Sequence, residues 1–450
     1  MPSTPSTPST SRTPSTPSTP DLQDPACTAR LCTLDNGVRV VTLALPQRHT
    51  ASVSVFVRCG SGHETRAHNG IGHVIEHMAF KGTATRDARR LNLDAEQLGA
   101  EVNAHTDKDH TAFHMRGLGP HAPAFVRMLG DIVQHATFPD AELQREREVL
   151  LHEFTEDEDD AMSAAYKLFD RACFGQHPLA QPVIGSRANI QRFSRDDLVA
   201  HVQRHYTGAN VVVAAAGAID ADAVQREAQA CFAALPPGQP NRLAPPAWQG
   251  GVKARAQAGS SQTHLVLGFA IPPLQADDPT AAVAAALLGE GMSSPLMDQL
   301  REQRGLVYYA ACSADVIDSA GQLVIEASTA PDQLDECLGA LATLLRAQAD
   351  AVGPQDLERA RNQITVRRLR GLEKTGRQLE EAALDVLLRG GLRSHADWLA
   401  RMQSVSAEQV RQAFAGMLAQ GAALALSGRV ARGAGERARA LLAGQGLMRL

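Results

Sequence analysis

Two histidines and a glutamate stand at a spacing that can do chemistry: His73, Glu76 and His77, in the segment G-I-G-H-V-I-E-H-M-A-F-K-G-T from Gly70 to Thr83. On a helix His73 and His77 are i and i+4, so both imidazoles leave one face and can share a metal ion. Glu76 lies beside His77 and reaches a water held by that metal. Zinc lowers the pKa of such a water to about 7, and a carboxylate can then take its proton. Catalytic zinc needs a third protein ligand and one open position. The stretch E-R-E-V-L-L-H-E, Glu146 to Glu153, offers two carboxylates seven residues apart, two helical turns, on one face. Glu153 is read as the third ligand, and Glu146 as the group behind it that steers charge or orients a ligand. A His-His-Glu set without thiolates is the catalytic kind, one ion per chain. It suits zinc best, and imidazole with carboxylate also accepts manganese or cobalt.

The elements that must position these residues can be read from pattern. Arg39–Leu45 and Ala51–Val57 read as strands. Gly60, Gly62, Gly70 and Gly72 mark a loop, and a helix should start near Gly72 and carry the histidines. Asp94–Leu98 reads as helix, Val102–Met115 as two strands around Asp107-Lys108, and Pro120–His135 and Asp140–Phe154 as amphipathic helices. The acidic run Glu153–Asp160 reads as a solvated loop. Ala209–Ala216 reads as a buried strand. Around Leu235–Lys253 the chain turns rich in Pro and Gly, the best linker in the sequence. Beyond it the order recurs: a strand at Thr263–Ala270, helix, strands around Tyr308–Thr329, helices, and a last strand at Ala422–Ser427. Two halves of like order predict a duplicated α+β domain. The expected division is a Ser/Thr/Pro-rich disordered tail over 1–30, a metal-binding domain over 31–236, a linker over 237–256, and a second domain over 257–450.

Composition bounds the function. The 450 residues are 44% apolar and 21% charged, enough to bury a large core without disulfides or metal, so a metal is free to be catalytic. A net charge of −5 with no long basic run argues against nucleic acid or an anionic membrane as partner. No apolar run approaches the roughly 20 residues that span a bilayer. Seven scattered cysteines without a C-x-x-C pair read as reduced thiols of a cytoplasmic protein. The same spacing argues against a thiolate metal site.

With these residues in view, the chain resembles the M16 peptidases, the pitrilysin/insulinase group that includes the mitochondrial processing peptidases. The resemblance covers nearly everything after residue 30. The inverted H-x-x-E-H matches His73, Glu76 and His77. The distal E-R-x-V-x-x-x-E matches Glu146 to Glu153, with His77 and Glu153 76 residues apart. N-A-H-T (Asn103 to Thr106) resembles the family's edge strand, where a peptide adds as an extra strand; Asn103 and Ala104 would then bind substrate. H-P-L-A-Q-P-V-I-G (His177 to Gly185) resembles a further family segment. L-R-E-Q-R-G-L-V-Y (Leu300 to Tyr308) resembles the segment whose Arg holds substrate backbone and whose Tyr stabilises an oxyanion, here Arg301 and Tyr308. G-E-G-M-S-S-P-L (Gly289 to Leu296) departs from the family's G-G-G-M-S-S-R-L at Glu290 and Pro295.

The resemblance implies two similar domains of the M16 metallopeptidase (LuxS/metallohydrolase-like) fold, closing as a clamshell. It implies a zinc endopeptidase acting on short or unfolded peptides, with Glu76 as base, and a homodimer that is self-sufficient because zinc motif and Arg/Tyr pair share one chain. Alternatives of another kind are a non-catalytic partner subunit or peptide-binding scaffold of the same fold. A processing protease for one peptide precursor, paired with a related subunit as a heterodimer, is also open.

Overall fold

The computed structural model describes residues 27–448. The Ser/Thr/Pro repeat of residues 2–20, read as tail, lies outside them. Six strands make the first sheet: β1 (Thr28–Thr33), β2 (Arg39–Ala44), β3 (Thr50–Val57), β4 (Glu101–Thr106), β5 (Thr111–Leu118) and β6 (Val211–Gly217). Their order is β1-β2-β6-β3-β5-β4, with β2 and β6 parallel and the other pairs antiparallel. Five strands make the second: β7 (Gly251–Ala254), β8 (Thr263–Ile271), β9 (Val307–Val316), β10 (Gly321–Thr329) and β11 (Ala423–Gly428), in the order β7-β11-β8-β10-β9. Only β7 and β11 run parallel. Strand for strand, the second sheet repeats the first without β1, so the expected duplicated α+β plan holds.

The central strands show why. β6 is V-V-V-A-A-A-G and buried throughout. Side chains alternate across a strand, so Val211, Val213 and Ala215 join one apolar cluster while Val212, Ala214 and Ala216 join another. The second cluster is completed from the other half of the chain. Helix Thr375–Leu384 and the turn Asp385–Arg389 bring Leu379, Ala383, Val386 and Leu387 onto the first sheet. The exchange is mutual. Helix Ala161–Phe174 brings Ala165, Phe169 and Cys173 onto Val266, Val324, Ala423 and Ala425 of the second sheet. In β11 the small Ala423 and Ala425 face this borrowed helix, while Leu424 and Leu426 face the half's own core.

Three differences from the sequence reading have plain causes. The acidic run Glu153–Asp160 is not a loop: helix continues from Asp140 to Asp159. Lys167 pairs there with Asp157 and Glu158, and Arg255 pairs with Glu158, so like-charge repulsion no longer melts the last turns. β1 begins inside the stretch assigned to the tail, and β7 inside the stretch assigned to the linker. Both are short edge strands, held by pairing with β2 and β11 rather than by an apolar pattern of their own. No helix of the described residues is long and apolar enough to cross a membrane.

Candidate metal centre

The histidine-bearing helix, α1 (Ile71–Ala79), starts one residue earlier than glycine punctuation predicts. Gly70 precedes it at φ +96, and a Cβ there would lie 2.7 Å from the Cα of Gly185. Gly185 has φ +82 and is as tightly placed against Asn69 and Gly70. The segment His177–Gly185 thus closes with a glycine-to-glycine contact behind the start of α1.

Glu64, only 2% exposed, does the capping. Its two carboxylate oxygens accept from the backbone N–H of Gly70 (2.7 Å) and Gly72 (2.8 Å), and the Asn69 amide adds a bond at 3.2 Å. A negative group at a helix N-terminus is favourable. Burial nonetheless raises the Glu64 pKa, against the pull of those donors. Sequence rules missed this residue because the cap is sought immediately before a helix, and Glu64 lies six residues before Gly70.

Helix α2 (Asp140–Asp159) supplies the carboxylates. Nε2 of His73 lies 3.5 Å from Oε1 of Glu153, and Nε2 of His77 lies 3.4 Å from Oε2 of the same carboxylate. The imidazole centroids are 4.7 Å apart. Donor atoms of all three residues fall within 4.8 Å of one another. Ligands about 2.0–2.2 Å from a tetrahedral zinc are separated by roughly 3.4 Å, so this donor set fits the ion that its chemistry implies. Behind it, Nδ1 of His77 donates to Oε1 of Glu146 at 2.9 Å, which leaves the Nε2 lone pair facing Glu153. Lys81 holds the other Glu146 oxygen at 2.6 Å. Outer partners of this kind fix ligand orientation.

The charges agree. His73 and His77 hold Glu153 well below the usual carboxylate range. Burial opposes a charge on His77, but its contacts with Glu153 and Glu146 outweigh that and raise its pKa. The field that draws a proton to His77 equally favours a cation between these groups. Burial pushes Glu146 up, and Lys81 and His77 more than reverse it, so it too stays ionised.

Glu76 lies on α1 beside the edge of the first sheet. The hydroxyl of Thr106, the last residue of β4, donates to its Oε2 at 2.7 Å. β4 is an edge strand, with Asn103 and Ala104 on it and at least partly exposed. Thr106 as an orienting donor was not foreseen; its hydroxyl is an ordinary strand side chain until β4 is laid against α1.

Arg301 and Tyr308 lie elsewhere, at the edge of the second sheet. Tyr308 is 81% exposed, and the Arg301 guanidinium sits 5.1 Å from its ring centre. Among the described residues, no hydrogen bond or ion pair joins either to the histidine group. Glu290, one of the two departures in the preceding loop, pairs with Arg367 at 2.7 Å. Pro295 begins a short helical turn capped by Ser294.

Residues 39–187 match the family model described as insulinase (peptidase family M16), and residues 192–364 match that of the peptidase M16 inactive domain. A protein of Streptomyces coelicolor named as an uncharacterized zinc protease is 32% identical over 402 residues, covering 85% of this chain and 86% of its own. The chain belongs to peptidase family M16. Another relative so named, from Mycobacterium tuberculosis, is 31% identical over 396 residues, with 86% and 90% covered. The fold of this M16 chain superposes on a protease from Helicobacter pylori with a TM-score of 0.81 at 19% identity, covering 90% of this chain and 100% of the other. The two M16 models fall on the two halves unequally: the first contains every residue of the His73–His77–Glu153 group, the second contains none.

Proposed function

We propose that this chain is a zinc-dependent endopeptidase that hydrolyses peptide bonds in short or unfolded peptides. The observation that carries this is the convergence of His73, His77 and Glu153 beside a glutamate at the end of an open strand edge. Zinc, when held by these three, supplies Lewis acidity and brings a water toward neutral pKa. Glu76 takes a proton from the attacking water on its carboxylate and returns it to the leaving amine. Thr106 holds that carboxylate in place. Glu146 and Lys81 keep His77 in the tautomer whose Nε2 lone pair is free.

An extended peptide pairing with β4 would lie along Asn103 and Ala104 and run toward Thr106 and Glu76. Backbone pairing of this kind gives affinity with little preference for side chains. Arg301 and Tyr308 are assigned to substrate: the guanidinium to the peptide backbone, and the phenol to negative charge developing on the carbonyl oxygen. Their exposure leaves them free to meet a peptide, and a homodimer would let them serve either chain. The names of the relatives, zinc proteases, agree with the reading.

The test is cleavage of a quenched, unstructured peptide by wild type and Glu76→Gln, with metal measured in both. Equal metal and a fall of about 10²–10⁴ in rate is the expected result. If both bind metal and neither cuts a broad peptide set, the non-catalytic partner or the single-precursor reading takes its place.

A further inference from the structure

A second histidine pair repeats the geometry of the first. Helix α3 (Arg195–His205) carries His201 and His205, again i and i+4, with ring centroids 4.6 Å apart against 4.7 Å in the His73–His77 pair. Facing them is Cys59, just past β3 and 2% exposed. Its sulfur lies 3.4 Å from Nε2 of His201. One donor atom from each of the three residues falls within 4.8 Å of the others. With zinc–sulfur near 2.3 Å and zinc–nitrogen near 2.0–2.1 Å, the sulfur-to-nitrogen edge of a tetrahedral site is about 3.5 Å. The Cys59–His201 spacing is close to that edge.

The surroundings support a ligand role for His205. Its Nδ1 lies 3.1 Å from Oδ1 of Asn241. The Asn241 amide nitrogen is committed to the carbonyls of Arg58 (2.8 Å) and His205 (3.4 Å), so its oxygen must face the ring and accept. Nδ1 of His205 then bears the proton, and Nε2 keeps its lone pair. A carbonyl oxygen behind the ring is the usual companion of a metal-ligating histidine. In the same loop as Cys59, the buried Nε2 of His63 has no hydrogen-bond partner.

We propose that Cys59, His201 and His205 form a second metal site, separate from the His73–His77–Glu153 group, for a thiophilic divalent cation of the zinc type. Thiolate with two imidazoles is a donor set for such ions and a poor one for magnesium or calcium. Binding forms a sulfur–metal bond and releases the Cys59 thiol proton to solvent, with no change of oxidation state. The ion would tie the end of β3 to α3 and, through Asn241, to the segment that joins the halves. Beside it, Arg58 pairs with Asp318 of the second half. A structural ion at that junction fits these connections.

Cobalt is the probe, because only a cysteine thiolate gives cobalt(II) a strong near-ultraviolet charge-transfer band; a His-His-Glu group cannot. The full chain, stripped with a chelator under reducing conditions, is titrated with cobalt(II). Wild type should take up two ions and show the thiolate band. His77→Ala should hold one ion and keep the band. Cys59→Ser and His201→Ala should each hold one ion and lose it. Wild type saturated with cobalt but lacking the band overturns the proposal without recourse to any variant. So does a band that survives in Cys59→Ser or in His201→Ala. Peptide cleavage is not a readout here, so failure of the peptidase reading would leave this result intact.

Discussion

Helix α1, I-G-H-V-I-E-H-M-A, and helix Thr280–Gly289, T-A-A-V-A-A-A-L-L-G, occupy the same place in their halves. Each follows the strand that pairs with the parallel couple (β3 or β8) and precedes the edge strand (β4 or β9). Both are largely buried. The first gives three positions of its length to His73, Glu76 and His77; the second has no histidine or acid and packs alanine and leucine against its sheet. The imbalance extends to the whole chain, where all of the 16 histidines except His264 and His395 lie before the linker. A duplicated fold has kept its plan in both halves and its histidine–carboxylate cluster in one. Burial of polar side chains costs free energy unless they are bonded, so a helix without such a cluster to build is free to fill the same space with apolar ones.

The largest effect that sharpens this contrast should come from acid. Burial, with His105 and Arg116 nearby, holds His114 down at about 3. A histidine whose folded pKa lies below its unfolded value of about 6.5 loses stability for the protein as pH falls from 6.5 toward 3. Between pH 7 and pH 4 this one imidazole accounts for on the order of 3 kcal/mol. Urea unfolding at both pH values should show a smaller drop for His114→Gln than for wild type. An equal drop would place the acid sensitivity elsewhere.

Next is Glu146→Gln, which weakens the hold on His77. Affinity for zinc at the His73 group should fall about 10–100-fold, measured by competition with a chromophoric chelator. Unchanged affinity would mean that Lys81 and Glu146 merely fill space. The smallest effect is expected at Thr106→Val. Loss of one hydrogen bond to a carboxylate costs about 1.5 kcal/mol, or roughly tenfold in kcat. KM should be unmoved, and Thr106→Ser should restore the rate.

Much of the His73 group was legible because each of its parts is written in a local register: i and i+4 for the imidazoles, seven residues for Glu146 and Glu153. The edge position of Asn103 and Ala104 followed from the family resemblance, and the sheet order agrees. What could not be read depends on distant partners. Glu64 caps a helix from outside the usual position. Helix persists from Glu153 to Asp159 because Lys167 and Arg255 neutralise the run. The Cys59 sulfur meets a histidine 142 residues away, a contact that cysteine spacing does not announce.

The exchanged helices carry one more consequence. Each half roofs the other's sheet, so the segment between Phe232 and Gly251 is not what keeps the molecule whole. A nick there would leave two interlocked fragments, each plugging the other's exposed apolar face. A gene divided at that point should yield pieces that reassemble when made together and aggregate when made alone. A chain built this way should tolerate a cut at the joint between its halves, and neither half is a unit that evolution could trade to another protein by itself.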